Sequence, residues 1–181
     1  RLELLSERIK RQRTIDDGFK LDFLDETKKI RESEWKIKNI PQDLLKRQVE
    51  ITGPPVPKKM FISALNSGAD CYMTDFEDSL TPSFENLIQG QLNLKDAVHK
   101  KIDFKDEKTG KEYKLNKKTA VLIVRPRGLH LGEKHLTINN ERLSGTFFDI
   151  GLTLFHNAKK LIENGTGPYF YLPKLEHYLE C

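Results

Sequence analysis

Cysteine is nearly absent: Cys71 and Cys181 are the only two in the chain. Neither a disulfide framework nor a CxxC metal pair can be built from them, and a reducing compartment is expected. Long hydrophobic runs are missing too. The apolar stretches fall far short of a membrane span, and no pattern of charge, apolar stretch and small-residue cleavage site opens the chain, so no membrane partner is expected. Neither sign of charge dominates. Lys+Arg 31 against Asp+Glu 27 leaves +4, too little for a nucleic-acid binder but compatible with a polyanionic small ligand. There is no internal repeat, no low-complexity run and no GxGxxG. His130 and His135 in "HLGEKH" lack the spacing that places two imidazoles on one helix face. Gly165-Thr166-Gly167-Pro168 precedes a strand, so it reads as a turn rather than a phosphate cradle, and Asn164-Gly165 reads as a helix end rather than a glycosylation site.

What is present is enough for a core. Hydrophobic residues make up 37% and charged residues 32% of 181, which suits one domain or slightly more. Starting inside a helical pattern at Arg1 and stopping at Cys181, the chain reads as a piece of something longer. Residues 1 to 47 predict a helical clasp, with one helix stopped near Gly18, a second over 22–35, and Trp35 with Ile37 as anchors. From residue 48 the pattern becomes strand, helix, strand. "VEITGPP" is a strand, "PKKMFISALNSG" a helix with Met60, Phe61, Ala64 and Leu65 on one face, and "CYMTDFEDS" a second strand. A helix follows Pro82. "KIDFKDEKTGKEYKL" predicts a hairpin insertion near 102–117. "TAVLIV" is a third strand, and a small hairpin turns at Asn139-Asn140. A long helix over 146–164 carries Phe147, Phe148, Ile150, Leu154, Phe155, Ala158, Leu161 and Ile162, with His156 packed among them. "PYFYLP" is the fourth strand. Strands alternating with helices predict an α/β fold with a parallel sheet, either doubly wound or a (β/α) barrel.

In both architectures reactive groups gather at the C-terminal ends of the strands. The second strand delivers Asp75, Glu77 and Asp78 there, the third Arg125 and Arg127, the fourth Lys174 and Glu176. If the backbone stays extended, Asp75 and Glu77 leave on one face and repel unless a cation or a shared proton relieves them. A magnesium ion with its waters is the natural remedy; alternatively, one carboxylate caps the next helix. Arg125 closes the most apolar strand, where a structural arginine would need a buried partner. A permanently charged planar fork held at that place can stabilise an enolate or a carboxylate. Arg127 is expected either to share that role or to pair with the acidic cluster.

"EITGP", "MTDFEDS", "GQLNLKDAV", "VRPRGLHLGEKH", "SGTFFDIGLTLFHNA" and "GTGPYFYLPKLE" together resemble the malate synthases of the shorter class, and the resemblance runs over the whole chain. It implies an incomplete (β/α)8 TIM barrel over 48–181 with an N-terminal helical clasp over 1–47. It also implies Claisen-type condensation of acetyl-CoA with glyoxylate and water, giving malate and CoA in the glyoxylate cycle. The enzyme class is an acyltransferase that converts the acyl group to alkyl on transfer. By the same resemblance Arg125 is the catalytic arginine, and Asp75, Glu77, Asp78 and Arg127 stand around substrate and metal-bound water. The cofactor is Mg²⁺, with its direct ligands and the aspartate base outside this chain. Partners are acetyl-CoA, glyoxylate and the rest of the polypeptide, which would complete the barrel. Location would be the glyoxysome or peroxisome in a eukaryote and the cytoplasm in a bacterium. Two alternatives stand beside it: a Mg²⁺-dependent acyl-CoA lyase or aldolase on a similar barrel, and a non-catalytic fragment.

Overall fold

The structure, a computed structural model, describes residues 1–181. Helix α1 (Leu2–Asp16) ends two residues before Gly18, whose φ of 97° lies in the left-handed region that glycine enters without strain. The second expected helix shrinks to a turn at Asp25–Thr27 and a single turn α2 (Lys28–Arg31). Phe23 and Ile30 are 76% and 62% exposed, so nothing packs on this segment to offset the cost of starting a helix. Trp35 and Ile37 are also exposed and anchor nothing. Arginines hold the N-terminal segment instead. The Nε of Arg1 donates to the Leu129 carbonyl at 2.7 Å, and Arg8 grips the far end of the chain.

Strand β1 (Glu50–Gly53) leads into α3 (Lys58–Leu65), which buries Phe61, Ile62 and Leu65 while Met60 points to solvent, contrary to its expected inward position. β2 (Cys71–Asp75) is buried throughout. α4 (Phe84–Val98) starts at Ser83, whose hydroxyl accepts from the Asn86 N–H. Gly90 lets α4 lie close to the sheet, since a Cβ there would meet Pro55 at 2.7 Å and the Phe76 ring at 2.9 Å. The hairpin insertion forms as β3 (Asp103–Lys105) and β4 (Glu112–Lys114). β5 (Val121–Arg125) is followed by a second hairpin, β6 (Gly132–Ile138) and β7 (Glu141–Ser144), turning at Asn139 and Asn140. α5 (Gly145–Glu163) and the short β8 (Tyr169–Phe170) complete the order.

The four principal strands form one parallel sheet in the order β1-β2-β5-β8. Successive strands lie side by side with no reversal, the order of a sheet wound in one direction like a barrel wall; a doubly wound sheet would reverse at a switch point. Tyr72, Val124 and Phe170 face the helix layer, packing with Phe61, Leu87 and Leu94. By alternation Cys71, Met73, Asp75, Ile123 and Arg125 occupy the opposite face. Across that face the Tyr171 hydroxyl donates to Glu50 at 3.0 Å, tying the chain just past β8 to β1 at the other edge and marking the curl of the sheet.

α5 inverts an expectation. Its buried residues include Asp149, Thr153 and Asn157, whereas Phe147, Phe155 and Ile162 are 57%, 85% and 65% exposed. Phe148 and Leu161 are buried as expected, but the rest of the inward face is polar where it meets Gln91 of α4, whose amide donates to the Asp149 carbonyl at 3.3 Å and accepts from the Thr153 hydroxyl at 3.4 Å. His156 lies exposed beside Phe155 rather than packed in the core. Such a row of bare aromatic and aliphatic side chains favours association in water. Expressed alone, the 181-residue chain is expected to self-associate, and Phe155→Glu with Ile162→Lys to restore a monomer. Light scattering after size exclusion checks this, and a monomeric parent chain would refute it.

Candidate functional site at the C-terminal edge of the sheet

Asp75 and Arg125 are the last residues of β2 and β5 and stand opposite each other in the register. The guanidinium meets the carboxylate as a two-pronged fork, Nε to Oδ1 and Nη2 to Oδ2, both at 2.8 Å. Asp75 is wholly buried. Its oxygens also accept from the N–H groups of Glu77, Asp78 and Ser79 at 3.0, 3.2 and 2.9 Å. Burial pushes this carboxyl upward, but Arg125 and the three backbone donors prevail and hold it well below the ordinary carboxylate range. Donating these hydrogen bonds to Asp75 in turn raises the Arg125 pKa. Two of the guanidinium's three nitrogens are engaged by Asp75, and Nη1 makes no hydrogen bond within the chain. The Arg125 side chain is 24% exposed at the strand end.

The extended arrangement expected for Asp75 and Glu77 does not occur. The strand stops at Asp75 and the chain turns around its carboxylate, so Asp75 holds that turn, Glu77 leaves elsewhere, and the next helix is capped by Ser83 instead of a carboxylate. Glu77 pairs with Lys174, and Asp78, 69% exposed, lies 4.0 Å from both Lys174 and Arg125. The carboxylates therefore sit among two cations, which lowers their mutual repulsion. One oxygen is left over: Oε2 of Glu77 is buried with no partner. No group of three His, Cys, Asp or Glu side chains could enclose a metal ion. At the rim, the exposed Asp78 carboxylate stands beside this unpartnered oxygen.

Arg127 is not in this cluster, a correction to its expected place beside substrate and metal-bound water. It turns away from the strand end and is 4% exposed. Asp149 takes its Nε and Nη2 at 3.0 Å each, and Glu133 takes Nη1 at 2.7 Å. A guanidinium that cannot reach water needs such partners, and Asp149 and Glu133 supply them. Sequence reading missed Asp149 and Glu133; the available signal was one carboxylate interrupting the apolar run "FFDIGL".

Lys174, at φ 54°, reaches the acidic turn from the segment after β8. Arg8 of α1 steadies that segment, donating to the Lys174 carbonyl at 2.9 Å and to both oxygens of Glu180. The Arg8 hydrogen bond holds the Glu180 carboxyl down to about 2. A lowered carboxyl stabilises the fold above its unfolded value near 4.3, and that contribution disappears as pH falls toward 2. Arg8→Ala is expected to speed amide exchange in α1 at pH 7, and the parent chain to lose its advantage only below about pH 4. Equal exchange in the two at neutral pH would refute the anchoring role.

Residues 121–181 match the family model described as malate synthase, TIM barrel domain. Over all 181 residues the chain is 51% identical to malate synthase of Myxococcus xanthus, covering 33% of that protein. It is likewise 51% identical over 181 residues to malate synthase A of Escherichia coli K12, covering 34%. Along its whole length the chain is similar to malate synthases. Further, 94% of the chain is 50% identical to the glyoxysomal malate synthase of Cucurbita maxima, of which it covers 30%. The chain thus spans about a third of the length of these relatives. Its parallel, singly wound sheet is the wall of an incomplete (β/α)8 barrel, and no helix in it is long and apolar enough to cross a membrane.

Proposed function

We propose that the protein to which this chain belongs is a malate synthase, condensing acetyl-CoA with glyoxylate and water to give malate and CoA, and that Arg125 stabilises the enolate formed from the thioester. The observation that carries the reading is the fork of Arg125 on buried Asp75 with Nη1 left free at the strand end. Two hydrogen bonds to a fixed carboxylate hold the cation still, so its remaining donor meets a developing oxyanion without reorganisation. Asp75 acts here through Arg125, as a positioning residue. Glu77 and Asp78 keep the rim acidic, and Lys174 partly balances them. Arg127 takes no part in contacting substrate.

Mg²⁺ supplies charge neutralisation at the aldehyde of glyoxylate in this reaction. Its direct ligands are assigned outside residues 1–181, and the buried, unpartnered Oε2 of Glu77 would accept a hydrogen bond from a water held by such an ion. Residues 1–47 form the helical clasp and 48–181 the first part of the barrel, with 102–117 inserted. The glyoxysome or peroxisome is the proposed site in a eukaryote, the cytoplasm in a bacterium.

The test is product analysis with full-length protein, glyoxylate and acetyl-CoA. Malate and free CoA in equal amounts support the synthase. Cleavage of a longer acyl-CoA with no condensation would establish the lyase alternative, and no turnover of either kind the non-catalytic one.

A further inference from the structure

The buried ionic network behind the rim has no role in the reading above. Arg127, Glu133 and Asp149 are 4%, 1% and 0% exposed and join three elements: the chain just past β5, the β6–β7 hairpin and the first turns of α5. Replacing buried ion pairs by apolar side chains is often neutral or favourable, so stability alone is a weak reason to build one. The hydrogen bonds to the backbone are more telling. Asp149 Oδ2 accepts the N–H of Arg127 itself at 2.9 Å as well as its Nε. The carbonyl of the same residue accepts the Thr146 hydroxyl at 2.7 Å. Arg127 is therefore pinned at its N–H, its carbonyl and its side chain. One residue before Arg125 the Val124 carbonyl is held by the Tyr171 N–H, and the Arg125 carbonyl is held by the Phe76 N–H, both at 3.0 Å. Between Arg125 and Arg127 stands Pro126, which restricts the residue before it to extended backbone. Gly145 leaves room for the arrangement: a Cβ there would lie 3.1 Å from Nε and 3.2 Å from Cζ of Arg127.

We infer that the Asp149–Arg127–Glu133 network is a positioning device for Arg125, fixing the strand end so that the free Nη1 keeps its direction. Asp75 sets the guanidinium from one side, and Asp149, through the backbone of Arg127, fixes the main chain from the other. The inference rests on the proposed role of Arg125. Asp149 and Arg127 touch neither substrate nor the reacting atoms, so their loss should appear in kcat rather than in KM. A small misplacement of a reacting group can cost up to about 10²-fold in rate.

The test compares Asp149→Asn, Gly145→Ala and Arg125→Lys in the full-length protein, with kcat, both KM values and the thermal midpoint measured for each. Asp149→Asn keeps an oxygen for the Arg127 N–H but loses the charge. It is expected to lower kcat by about 10–100-fold with both KM values within about twofold. Gly145→Ala keeps every charge and improves helix propensity while pressing on the Arg127 guanidinium by a few tenths of an ångström. It is expected to hold the thermal midpoint and still lower kcat several-fold, and it decides the matter if Asp149→Asn does not fold. Unchanged kcat in folded Gly145→Ala overturns the inference. So does a fall in thermal midpoint for Asp149→Asn with kcat intact. If Arg125→Lys itself keeps parental turnover, the proposed role of Arg125 falls first and the positioning device with it. If Arg125→Lys is inactive while the other two are fully active, only the positioning device falls.

Discussion

Replacing Arg125 by Lys in the full-length protein is expected to lower kcat by about 10²–10³-fold while KM for glyoxylate stays within about threefold. Lysine keeps the charge but not the fork. In the parent, Nε and Nη2 are consumed by Asp75 at 2.8 Å each, leaving Nη1 for the developing oxyanion. A single ammonium has three donors on one nitrogen and a flexible stem; held by Asp75 it no longer reaches outward, and released toward the substrate it leaves Asp75 unpaired. Because the enolate exists only during reaction, the lost interaction belongs to the transition state and leaves substrate binding nearly untouched. Steady-state kinetics with both substrates varied provide the check. A large rise in KM with kcat preserved would move Arg125 from chemistry to ground-state binding.

Asp75→Asn is expected to have the largest effect on folding, destabilising by about 3–5 kcal/mol, the usual consequence of removing one member of a buried pair. Arg125 loses its anionic partner at a strand end, and three backbone N–H groups lose their ionised acceptor. The pH dependence follows from the lowered pKa of Asp75. A depressed carboxyl contributes its full stabilisation above the unfolded value near 3.9, and the contribution is lost as pH falls through the lower native value. The difference in thermal midpoint between parent and Asp75→Asn is therefore expected to be constant from about pH 5 to 8 and to shrink below about pH 4. A gap that widens on acidification would show that the pair does not stay ionised in the native state. Loss of turnover should accompany the loss of stability, since the same carboxylate aims the guanidinium.

Much of the architecture could be read directly. Strand and helix periods, the Pro57 and Pro82 helix starts and the two hairpins appear close to where their patterns put them, because each is a local consequence of spacing and turn chemistry. Reading was weaker wherever the signal was shared by two outcomes. The segment 22–35 has helical spacing, yet only four residues form α-helix, since a helix that short needs a surface to pack on. α5 carries apolar residues on more than one side, and periodicity does not say which side meets the sheet.

The chain's own order of residues was sufficient to place Asp75 and Arg125 at the C-terminal ends of two strands, and to show that an apolar strand closing on a guanidinium requires an anion or a site; that the two strands are neighbours came from the sheet. Which arginine faces the rim was decided in three dimensions. Arg125 finds Asp75 fifty positions away and Arg127 finds Asp149 twenty-two away. Two arginines separated by a proline look equivalent on paper, and only the surrounding carboxylates and the room left by Gly145 turn one outward and bury the other. Charge pairing across long sequence separations is a property of packing, since the cost of burying a guanidinium is met by whichever acid the fold brings within about 3 Å.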